Sequence, residues 1–154
     1  MKKVIVMIVC CGINVCALAG DTNFVEAFNA VWLTHDASNV LVFVEQNVAT
    51  NASPEVLFVR GIIAMALQDW VPGATNYWEQ AIQMVTTNSL YSEKGKTNAV
   101  NQIQFFQRIF IGSNTNPPSW HPEWHEHFFT KTGDEAPFLN AVRNIATIPL
   151  AETP

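Results

Sequence analysis

The chain has 154 residues, 49% of them hydrophobic and 14% charged, with thirteen Asp and Glu against eight Lys and Arg. That length suits one domain, large enough to bury about 65–70% of the surface of its unfolded form. The basic residues after the N-terminus (Arg60, Lys94, Lys96, Arg108, Lys131 and Arg143) are scattered, which excludes a patch for nucleic acid or anionic lipid.

Lys2 and Lys3 precede an apolar run from Val4 to Ala17, followed by Ala17-Leu18-Ala19. A charged start, an apolar stretch and a small-x-small site together read as a secretory signal peptide over residues 1–19. The run is interrupted by Asn14 and is shorter than the roughly 18–20 residues of an uncleaved anchor. Cys10, Cys11 and Cys16 all fall inside it, preceded by Val9, Cys10 and Val15 rather than by the leucine and small residues of a lipidation site. The exported chain is therefore expected in the periplasm or outside the cell, without disulfides, and held together by its apolar core. Loss of Lys2 and Lys3 leaves six basic against thirteen acidic residues, a formal charge of −7. The expected organisation is one all-helical domain over residues 20–148 and a frayed tail over 149–154.

Apolar residues recur with a period near 3.6 through most of the remainder, which predicts an all-α fold of about seven helices. The first runs from Thr22 to Leu33 with Phe24, Phe28 and Val31 on one face. Asp36 or Ser38 caps a second, over residues 39–50, with Val40, Phe43, Val44, Asn47 and Val48 turned inward. Ser53-Pro54-Glu55 combines a capping hydroxyl, a proline suited to the first turn and an early acid, and starts a third helix that reaches Gln68.

Asp69-Trp70-Val71-Pro72-Gly73 separates it from a fourth helix striped by Tyr77, Trp78, Ala81, Ile82 and Val85. A polar loop over residues 86–96 leads to a fifth over 98–111, with Val100, Ile103, Phe106 and Phe110 inward. A longer loop, 112–119, precedes two short helices at 122–131 and 136–148.

The third helix is apolar on nearly every side, yet it contains Arg60, which reads as unpaired, and Gly61. Twelve apolar-rich residues and a charge exclude a membrane span. Such a helix must be covered from several directions by neighbours. Glycine in its middle costs about 1 kcal/mol against alanine, which implies that another helix comes close there.

Leu57-x-x-Arg60-Gly61-x-x-Ala64 followed by Ala74-x-x-x-Trp78-x-x-Ala81 resembles a tetratricopeptide repeat, in which small residues let two antiparallel helices approach while large ones fill the gaps beside them. The stretch Asn51 to Gly61 is similar to the passage from one such repeat into the next. Arg60 stands where the family has an apolar residue, Ala64 replaces its tyrosine, and the Asp69–Gly73 turn is one residue longer. The resemblance covers residues 52–85 well, residues 20–51 loosely and residues 112–154 not at all. It implies antiparallel hairpins stacked in a short array, with Leu57, Gly61, Ala64, Ala74, Trp78 and Ala81 as packing residues and the fifth helix as a cap. The alternative is a generic helical bundle with small residues at one crossing.

What the resemblance implies about function is a non-catalytic module offering a groove to a protein or peptide partner, with Asn47, Asn76, Asn98 and Asn101 toward it. A second expectation comes from Ser119 to Phe129, where His121, His125 and His127 could hold zinc or another divalent metal, with Glu123 or Glu126 completing the set. Pro122 follows His121 where a metalloprotease motif needs an acid. Trp120, Trp124 and Phe128 form an aromatic stripe that would also place these histidines at the edge of a core. The remaining chain carries no thiol, no Gly-x-Ser-x-Gly and no glycine-rich phosphate loop.

Overall fold

The computed structural model describes residues 22–34, 36–68, 70–111 and 137–152. Among them it is all-helical, with six helices: α1 Thr22–Trp32, α2 Ala37–Thr50, α3 Pro54–Gln68, α4 Val71–Thr87, α5 Glu93–Ile111 and α6 Pro137–Ala146. The helix expected over 122–131 lies outside the described residues. None of the described helices is long and apolar enough to cross a membrane.

Local chemistry sets the boundaries. Of the two candidate caps for α2, Asp36 does the work: its Oδ1 accepts from the backbone N–H groups of Ser38 at 3.0 Å and Asn39 at 3.2 Å. At α3, the Ser53 carbonyl accepts the first helical bond from Leu57 at 3.0 Å. The Ser53 hydroxyl, however, is buried with no hydrogen-bond partner among the described residues, so it does not supply the expected cap. Proline 54, which has no N–H to satisfy, begins the helix without it.

The end of α3 is closed by the Trp70 N–H, which reaches six residues back to the Ala64 carbonyl at 2.9 Å, and α4 then starts with Pro72 in its first turn. The fifth helix begins at Glu93, five residues before the expected position. Ser92 caps it, its Oγ accepting from the Gly95 N–H at 3.1 Å, and Glu93 places an acid in the first turn. These start signals lie inside a stretch polar enough to read as loop.

Helices pack in chain order, α1 on α2, α2 on α3, α3 on α4 and α4 on α5, with the α3–α4 contact the most extensive. Helix α6 then returns to the beginning of the chain and lies against α1, α3 and α5. Helix α3 is thus surrounded, and Val56, Leu57, Phe58, Val59, Ile62, Ile63, Ala64, Met65 and Ala66 are all buried. Each large apolar side chain fully removed from water contributes roughly 1.5–3 kcal/mol, so α3 is the main source of apolar stabilisation.

The tail expected to fray from residue 149 is anchored at its start. The Ser92 N–H donates to the Pro149 carbonyl and the Ala151 N–H to the Leu90 carbonyl, both at 2.8 Å, around an antiparallel bridge between Tyr91 and Leu150. Glycine at position 95 makes room for this segment: a Cβ there would stand 2.9 Å from both Ile148 and Pro149.

Candidate functional site

The six residues of the repeat-like pattern come together in the structure. Leu57, Gly61 and Ala64 on α3 and Ala74, Trp78 and Ala81 on α4 are all buried in one core. Gly61 is the contact point. A Cβ built on it would lie 2.3 Å from Nε1 of Trp78 and 2.6–2.7 Å from two further indole atoms. The indole therefore rests on α3 backbone, and its N–H donates to the Phe58 carbonyl at 3.2 Å. A helical carbonyl that already serves the ladder accepts a second bond, which satisfies the only polar atom of a wholly buried tryptophan.

Arg60, one residue before Gly61, is not the unpaired charge its sequence context suggests. It is 3% exposed and its guanidinium reaches Glu45 on α2 at 2.6 Å and Gln68 on α3 at 2.9 Å. The same guanidinium sits 4.9 Å from the ring centre of Tyr77 on α4. One side chain thus ties α2, α3 and α4. Tyr77 in turn meets the half-exposed Trp70 edge to face at 6.4 Å, and the Trp70 indole covers Gly73, where a Cβ would be 2.2 Å from the ring. Arg60 reads as unpaired in the sequence because its charged partner Glu45 sits on another helix; Gln68, eight residues further along α3, is the one local signal.

A buried acid, Glu55, opens α3 and is fully removed from solvent. The early acid of the α3 start signal thus stands in the core, close to Tyr91. Burial raises the Tyr91 phenol above its ordinary 10.0, the Glu55 charge raises it further, and a side-chain hydrogen bond with Asn88 opposes both.

The face made by the odd-numbered helices is aromatic. Phe138 of α6 lies 5.8 Å from Phe28 and 5.2 Å from Trp32 on α1, 6.1 Å from Phe58 on α3 and 6.2 Å from Phe106 on α5. Rings at these distances and inclined angles make favourable edge contacts in addition to their burial. Val142 and Ile145, four and seven residues on, continue the same buried stripe.

The expected partner-facing asparagines do not share one helix face. Asn76 on α4 and Asn98 and Asn101 on α5 are exposed, while Asn47 on α2 is half-buried and donates to the Phe43 carbonyl of its own helix at 2.8 Å. Asn101 borders a shallow depression of about 270 Å³ with Thr86, Glu93, Lys96, Thr97 and Val100. His121, His125 and His127 lie outside the described residues; among the described residues no cluster of three or more His, Cys, Asp or Glu could hold a metal. Searches against protein-family models, curated proteins and solved structures return no match to this chain.

Proposed function

We propose that this chain is an exported, non-catalytic helical-repeat module that binds a protein or peptide partner. In this reading residues 1–19 are removed, α1/α2 and α3/α4 are antiparallel hairpins of the tetratricopeptide kind, and α5 closes the stack. The observation that supports it is the α3–α4 crossing, where Gly61 admits Trp78 onto the backbone of α3 as the repeat-like spacing requires. Successive helix-on-helix packing from α1 to α5 is the second support. Such stacks present continuous faces built from alternate helices, and those faces suit extended or helical segments of another protein.

The test is a peptide-display selection with the chain beginning at Gly20 as bait, followed by calorimetry on the enriched sequences. A family of related peptides binding saturably at one site is the expected result, and a well-folded bait that enriches no related sequences contradicts the reading. Mass spectrometry of the chain recovered from an exporting host is expected to give Gly20 as the N-terminus.

A further inference from the structure

We infer that α6 is an internal ligand: the face formed by α1, α3 and α5 is a helix-binding groove, occupied in cis by α6, and the partner it fits is an amphipathic helix that competes with α6. This rests on the reading of the chain as a partner-binding module, and deepens it by naming the surface and the chemistry of the occupant.

Helix α6 sits across the other helices rather than after the last of them. Its principal contacts are with the three odd helices, which are not neighbours of one another along the chain. A helix added to the end of a stack would lie on the last helix; this one crosses the whole stack. Its mode of contact is that of a helical peptide in a groove, with anchors at i, i+4 and i+7 facing inward. Phe138 enters a socket of four rings from α1, α3 and α5, and Val142 and Ile145 follow along the groove, each no more than 1% exposed. The opposite side of α6 is polar, with Asn144 exposed and Arg143 bonded to Asn140 at 3.0 Å.

The occupant's chemistry is therefore stated by α6 itself: a short amphipathic helix carrying an aromatic anchor, with aliphatic anchors four and seven residues later. The segment after α6 adds a second hold through Ile148 against Gly95 and the Leu150–Tyr91 bridge. A tethered ligand competes at an effective concentration set by its connection, so a partner helix of equal intrinsic affinity binds weakly until α6 is released. Apparent affinity falls in proportion to the fraction of chains whose groove is open.

The test uses a fluorescein-labelled synthetic peptide of residues 137–152 and the chain in two forms, wild type and Val142→Asp. In the wild type the internal helix holds the groove and the peptide binds weakly. Val142→Asp puts a carboxylate at a fully buried position of α6, which releases the internal helix and is expected to tighten peptide binding about 100-fold or more. The same substitution placed in the peptide is expected to abolish binding to both forms. Hydrogen exchange on the wild type gives a second readout: amides of α6 exchange through a local opening while those of α3 stay protected.

Three results overturn the inference. One is a Val142→Asp chain that has lost its helical signal and cooperative melt, because α6 is then an indispensable part of the core. The second is a folded Val142→Asp chain that binds the peptide no better than wild type. The third is exchange of α6 and α3 amides together at the global rate. A selected library peptide that binds wild type and Val142→Asp equally would move the partner surface off this face and leave the module reading standing, so the two claims fail separately.

Discussion

The α3–α4 crossing and the face that receives α6 hold the same central helix by opposite means. At the crossing, side-chain volume has been removed: Gly61, Ala64, Ala74 and Ala81 let backbones approach, and one indole fills what remains. On the other side volume has been added, with Phe28, Trp32, Phe58, Phe106 and Phe138 in mutual ring contact. A close-packed crossing tolerates no added atoms, whereas a ring cluster is damaged by lost ones.

That contrast can be broken most directly at Gly61. Gly61→Leu drives a branched side chain into the Trp78 ring and is expected to cost upwards of about 4 kcal/mol, enough to remove the cooperative transition in thermal melts followed by circular dichroism. Truncation is the complementary damage. Phe138→Ala empties the four-ring socket and is expected to cost about 3–5 kcal/mol in urea unfolding, read as a lowered midpoint.

The Arg60 tie sharpens the comparison, since it is polar inside the apolar helix. Arg60→Ala is expected to cost about 2–3 kcal/mol, because the stem's packing and the contact over Tyr77 vanish together. Arg60→Met retains the volume and leaves Glu45, about half exposed, free to regain water, so its cost should stay below about 1.5 kcal/mol. Denaturant titration of the two variants separates packing from charge.

The smallest effect concerns Tyr91, at the junction of the α4–α5 connection and the C-terminal segment. Its folded pKa lies above the unfolded value of 10.0, so the native state favours the neutral phenol. Stability from this group is fully present below pH 10.0 and declines as pH rises from there through the folded value, because the unfolded chain ionises first. Tyr91→Phe is expected to flatten that alkaline decline in melting temperature measured between pH 9 and 11.

The same contrast explains what could be read in the sequence. The crossing was legible because its constraints are local: Gly61 inside an apolar run, and small residues spaced around Trp78, can be seen within some thirty residues. The all-helical class and five helix positions followed from periodicity. The ring socket was not legible, since Phe28 and Phe106 read as ordinary inward positions, Phe58 and Phe138 carry no local signal, and only the folded topology joins the four. Arg60 was misjudged for a related reason, its carboxylate lying on a different helix. The start of α5 was obscured because Ser92 and Glu93, set in a polar stretch that reads as loop, cap and open the helix instead, and the pinned tail depends on room at Gly95, which no local pattern reveals.

The most direct test of the account is a double-mutant cycle between Gly61→Ala and Trp78→Leu, measured by chemical unfolding. If the indole rests on α3 backbone, Gly61→Ala costs about 2 kcal/mol or more in the wild type but becomes neutral, or stabilising by up to about 1 kcal/mol, once Trp78 is leucine, where alanine's better helix propensity is no longer opposed. Equal cost in both backgrounds would mean that the two residues do not meet, and would contradict the α3–α4 crossing that supports the proposed repeat reading.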